Sequence, residues 1–140
     1  MKKSCAVIAL ISASLMASLP VLAQQKTDFG KHEYNSNCAV CHGLSGKGDG
    51  PYAGVLDTRI PDLIGLSKRN GGVFPLLYVA ATIDGTAMPK RHGTSDMPIW
   101  GTEYRIRAGE AYFDVPYDPE TYVRVRILAL TDYVSRLQQK

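Results

Sequence analysis

The chain has 140 residues, 16 of them basic and 13 acidic, and 45% are hydrophobic. That length suits one domain. A formal net charge of +3 gives no argument for nucleic acid or an anionic membrane surface as a partner.

The first stretch, MKKSCAVIALISASLMASLPVLAQQ, has the form of a secretory signal. Lys2 and Lys3 make a basic start, and Ala6–Leu19 is apolar and broken only by serines. Val21–Ala23 fits the small-residue rule, with cleavage after Ala23. The apolar run is shorter than the roughly 20 residues of a spanning helix, and Pro20 follows it. Cys5 lies too early to carry a lipid. The expected division is a cleaved signal over 1–23 and one exported, periplasmic domain over 24–140, with no membrane span after cleavage. Removing the signal takes away Lys2 and Lys3 and leaves 117 residues, 14 basic against 13 acidic. So small a chain completes a core with difficulty from side chains alone. A large bound group inside it would help.

In TDFGKHEYNSNCAVCHG, Gly30, Tyr34 and Cys38 fall at i, i+4 and i+8 and share one helix face. Glycine inside a helix costs about 1 kcal/mol against alanine, so Gly30 implies close approach of another backbone. His32 lies off that face and is expected in solvent.

Cys38–His42 reads CAVCH. Cys-x-x-Cys-His is the attachment signature of c-type haem. Two thiols on one helical turn can add to the two vinyl groups of a porphyrin, and the adjacent His42 supplies an imidazole to the iron. A disulfide oxidoreductase would set Cys-x-x-Cys in a βαβ context, and no strand–helix alternation runs through this chain. A zinc site needs further ligands, whereas His32 and His92 stand alone. A disulfide spanning two residues is strained.

Gly43–Gly54, GLSGKGDGPYAG, lacks the preceding strand and the Gly-Lys-Ser/Thr ending of a phosphate loop. It reads as a tight backbone wrap over the haem face, where side chains would clash. Gly72–Gly85, GVFPLLYVAATIDG, predicts a helix opened by Pro75 and closed at Asp84 by a left-handed Gly85. Leu76, Leu77, Val79, Ala80 and Ile83 are expected to pack inward. Ala87–Gly101, AMPKRHGTSDMPIWG, then offers three candidate metal ligands, Met88, His92 and Met97. Arg107–Pro119 reads as a long surface loop, either a contact loop or a connection. In the last segment Asp118 is the expected N-cap and Pro119 the first helical residue. Val123, Ile127, Leu130, Val134 and Leu137 form an amphipathic stripe, the expected partner of the Gly30 face.

Taken together, GKHEY, CAVCHG, GKGDGP, PDL, IDG, HGTSDMPIWG and the final helix resemble a small soluble bacterial class I cytochrome c over residues 27–138. The resemblance implies an all-α fold around one covalent haem c, held through Cys38 and Cys41, with the terminal helices crossing. It also implies one histidine and one methionine as axial ligands. His42 is the first. In the family the methionine follows the middle helix and precedes a proline, which both Met88 and Met97 satisfy. Met97 has the chain length to cross the distal face, while Met88 is tied to a helix end. Met97 is therefore favoured, with Met88 the alternative (otherwise a core filler) and His92 behind both. A proline carbonyl that accepts the imidazole Nδ1–H is also implied, and Pro51 is the candidate. Trp100, Tyr52 and Arg59 are candidate donors to the haem propionates.

The implied function is one-electron transfer between a donor dehydrogenase or reductase and an acceptor oxidase or reductase, without bond-making catalysis. Its partners would be redox proteins that dock transiently. Two other readings stay open. One is a haem subunit of a larger oxidoreductase, which Arg107–Pro119 would suit. The other is a haem enzyme or gas sensor with an open sixth position.

Overall fold

A computed structural model describes residues 27–87, 97–111 and 118–139. These form α1 (Phe29–Asn37), α2 (Ala39–His42), α3 (Leu66–Arg69), α4 (Leu76–Asp84), α5 (Trp100–Ala111) and α6 (Pro119–Arg136), with no strand among the described residues. The all-α expectation holds. The expected signal and its cleavage point, Met88 and His92 lie outside the described residues. No described helix is long and apolar enough to cross a membrane.

The terminal helices cross where the glycine spacing places them. A Cβ on Gly30 would collide with the Ala129 carbonyl of α6 and crowd Tyr133. Tyr34, one turn on, is fully buried, and its ring lies 5.0 Å from that of Tyr133. Ionic contacts lock the crossing at its edge. Arg136 donates to both oxygens of the Asp28 carboxylate, at 2.6 and 3.0 Å. The same carboxylate caps α1 by accepting from Lys31 N–H. Arg136 and this cap hold the Asp28 pKa down at about 2.

α6 forms as its sequence predicts. Asp118 is the N-cap and accepts from Glu120 N–H at 3.0 Å, with Pro119 in the first turn. Val123, Ile127, Leu130 and Val134 are buried, and Leu137 packs against them at the C-cap. Beyond it, Gln138 donates to Leu63 O at 2.7 Å and accepts from Ser67 N–H at 2.9 Å. The chain's end thereby fastens the segment that leads into α3.

Two expectations need correction. α4 ends as predicted, with Gly85 left-handed at φ 90°, but it does not bury most of its apolar surface. Val79 and Ile83, one turn apart, are buried, whereas Leu76 is 47% and Leu77 81% exposed. A single face of so short a helix meets α5 and α6; Leu77 falls off that face, and Leu76, which shares it, stands in the first turn and is only partly covered. The segment from Arg107 to Ala111 is the second half of α5, not loop. Of the remainder of the expected loop, 112–117 lies outside the described residues, and Asp118 and Pro119 cap and open α6. α5 buries only a narrow seam of Trp100, Gly101, Tyr104 and Ala108.

The crossing generates a test. Gly30→Ala puts a methyl against a backbone carbonyl that cannot swing aside. The variant is expected to lose about 1–3 kcal/mol of stability, read as a lowered thermal midpoint with an unchanged visible spectrum.

Candidate haem-attachment site

α1 delivers the first cysteine. Cys38 closes that helix by donating its N–H to Tyr34 O at 2.8 Å, and the chain turns directly into α2. His42 N–H then donates to Cys38 O at 2.9 Å, which puts Cys38, Cys41 and His42 on one turn. Both cysteines are unpaired and half-buried. Burial pushes the Cys38 thiol up to about 12, with the nearby Glu33 and Cys41 adding to the effect. A thiol–disulfide enzyme needs the opposite shift. Among the described residues no group of three His, Cys, Asp or Glu is placed to hold a metal ion, so nothing there completes a zinc site.

His42 Nδ1 lies 3.2 Å from Pro61 O. A carbonyl can only accept, so Nδ1 carries the proton and Nε2 keeps its lone pair. Burial lowers the imidazole pKa and the bond to Pro61 opposes that shift. The neutral ring is the ligating form.

The carbonyl partner is therefore Pro61, not Pro51. The glycine loop explains why. Its backbone doubles back along the outer side of α2, with Gly50 N–H donating to Cys41 O at 3.0 Å and Tyr52 N–H to Val40 O at 2.9 Å. Pro51, between them, lies in a surface groove with Ala39 and Val40. The segment beyond is pulled inward by Leu63 N–H donating to Gly46 O at 2.6 Å, and Pro61 comes with it.

Tight turning makes this wrap possible. Gly43, Gly46 and Gly48 have φ of 75°, 75° and 78°. Gly50 meets a different limit. A Cβ there would stand within 2.7 Å of the Ala39 and Val40 carbonyl oxygens and the Cys41 carbonyl carbon. The steric need for glycine is thus against the attachment turn's own backbone. From inside, the buried Tyr34 hydroxyl donates to Gly43 O at 2.7 Å.

Met97 is half-buried against the same core cluster as Cys38. The segment that follows it is held against the end of α4. Gly85 leaves room for Ile99, and Gly101 lies against Asp84 at the end of α4. Arg105 donates to Glu120 at 2.7 and 3.2 Å and pairs with Asp84 at 3.7 Å. Trp100 belongs to the core, its ring 5.8 Å from that of Tyr104. Tyr52, within the glycine loop, and Arg59, after it, are exposed, and His32 is exposed on α1. Sequence reasoning missed Pro61, Glu33 and Arg105. Pro61 follows His42 by 19 residues, a spacing that has meaning only once the loop's compactness is known.

This donor set fits haem c. It offers two thiols on one turn, and an imidazole whose far nitrogen is a free donor. Gly50→Ala is expected to displace the turn and lower the haem-to-polypeptide ratio of the purified protein relative to wild type. An unchanged ratio would remove the steric argument.

The family model described as Cytochrome c matches residues 28–103, more than half of the chain, from the N-cap of α1 into α5. Comparison with curated proteins gives no match, and comparison with solved structures gives none. α6, which closes over Gly30, lies beyond the matched segment. Its helical fold, its Cys-x-x-Cys-His turn and this match agree, and the chain belongs to the cytochrome c family, whose haem c serves electron transfer.

Proposed function

We propose that this protein is an exported, periplasmic one-electron carrier with a single haem c, bound through Cys38 and Cys41 and ligated by His42 and Met97. The observation that carries the reading is the His42 Nδ1–H bond to Pro61 O. It fixes the ring's tautomer and orientation and leaves Nε2 as the donor, as a ligating histidine requires. When bound, haem c supplies the one-electron iron couple.

The chain's own part is to hold, orient and exclude. α1 and the glycine loop clamp the attachment turn from opposite sides. The contacts of Ile99, Gly101 and Arg105 fix the backbone on which Met97 sits. A thioether as second ligand favours the reduced state relative to a second imidazole. With both ligands bound, the iron would have no position left for a substrate, as a carrier requires and an enzyme or gas sensor does not. The signal-like residues 1–23 support export. Donor and acceptor are then redox proteins that dock transiently, or neighbours in a complex.

Variants of the two methionines test the ligation. Met97→Ala should lose the far-red sulfur-to-iron charge-transfer band, lower the reduction potential and bind carbon monoxide when reduced. Met88→Ala should keep the band. The reverse pattern would transfer the ligand role to Met88 and leave electron transfer intact. A wild-type protein with no such band, binding carbon monoxide freely, would favour an open sixth position.

A further inference from the structure

Glu33 is a charged residue that the attachment reading does not use. It sits on α1 five residues before Cys38 and is only 8% exposed. Removing a carboxylate from water is costly unless its oxygens are well partnered. Here each oxygen has a partner from another helix. Tyr104 of α5 donates its buried hydroxyl to Oε2 at 3.1 Å, and Asn37 adds its amide at 3.3 Å. Arg126 of α6 stands 3.7 Å from Oε1. That guanidinium is itself held over aromatic rings, 4.0 Å from the centre of Tyr122 and 5.1 Å from that of Phe29.

The arrangement keeps a negative charge at a fixed place inside the fold, on the helix that bears the first haem-attaching cysteine. Arg126 places a positive charge behind it. A charge as deeply buried as Glu33 is weakly screened, so it acts on a nearby redox centre more strongly than a surface charge does. Asn37, whose amide donates to that carboxylate, is the residue directly before Cys38.

We infer that the Glu33–Arg126 pair sets the reduction potential of the haem carried at Cys38, with Glu33 stabilising the ferric form. It rests on the reading of Cys38 and Cys41 as attachment points. Reduction adds one electron to the ferric centre, with no proton and no bond change at Glu33. A fixed negative charge nearby opposes that electron. Glu33 is a tuning and positioning residue, not a ligand.

The test uses the full haem-loaded protein in spectroelectrochemical titration at pH 8, above the carboxylate range. Glu33→Gln keeps an acceptor for the Tyr104 hydroxyl and removes the charge. Its midpoint is expected to move positive, so that at the wild-type midpoint the reduced-to-oxidised ratio rises several-fold. Arg126→Gln leaves Glu33 unopposed and is expected to move the midpoint the other way. Loosened packing alone would not give opposite signs. Midpoints unmoved in both variants, or moved in the same direction, overturn the inference, and Arg126→Gln decides by itself if Glu33→Gln does not fold. Acid–acetone extraction of the same samples separates the two levels. Haem that extracts freely overturns the attachment reading and this inference together. Retained haem with unmoved midpoints overturns this inference alone.

Discussion

The close crossing of α1 and α6 at Gly30 is the contact on which the rest of the molecule hangs. Because Gly30 has no side chain, the Ala129 carbonyl can lie against the α1 backbone. That approach buries Tyr34 on Tyr133, and the Tyr34 hydroxyl reaches Gly43 just past His42. The position of the attachment turn thus follows from the helix crossing. A second link, Asp28 with Arg136, fixes the same pair of helices at the N-cap of α1, beside Gly30. Gln138, just past the C-cap of α6, also fastens the segment after Pro61, so α6 and the residue that follows it support both the turn and the carbonyl that orients its histidine.

The glycine loop answers a packing problem created by that arrangement. α2 is a single turn, and its carbonyls need partners that α-helical bonding does not supply. The loop provides them from Gly48, Gly50 and Tyr52, which donate to His42, Cys41 and Val40. Only a chain without side chains at the tightest points can lie so near. The cost is the conformational freedom that glycines lose on folding. A covalent prosthetic group that buries apolar area offsets part of such a cost in a small domain.

The helix ends and the attachment turn were legible in the sequence because each is governed by local chemistry. Asp118-Pro119 caps α6, Gly85 ends α4, and the Gly30–Tyr34–Cys38 spacing places the crossing face. What was not legible depends on contacts distant in sequence. α5 has no broad apolar face, and its seam of Trp100, Tyr104 and Ala108 at four-residue steps is interrupted by charges and by Gly101 and Gly109. That seam was the available signal. Pro61 rather than Pro51 accepts from His42 because the loop folds back before the chain returns, which spacing alone does not encode. Leu77 stays exposed because helix hydrophobicity does not say how many faces find a neighbour.

The central claim is that an exported chain holds one haem covalently on the Cys38–His42 turn. Intact-mass measurement of the protein purified from the periplasm of the expressing cell tests this most directly. The account predicts a single species with the mass of residues 24–140 plus one haem, retained under denaturing conditions. A polypeptide mass with no haem added, in a preparation that is coloured before denaturation, would contradict it.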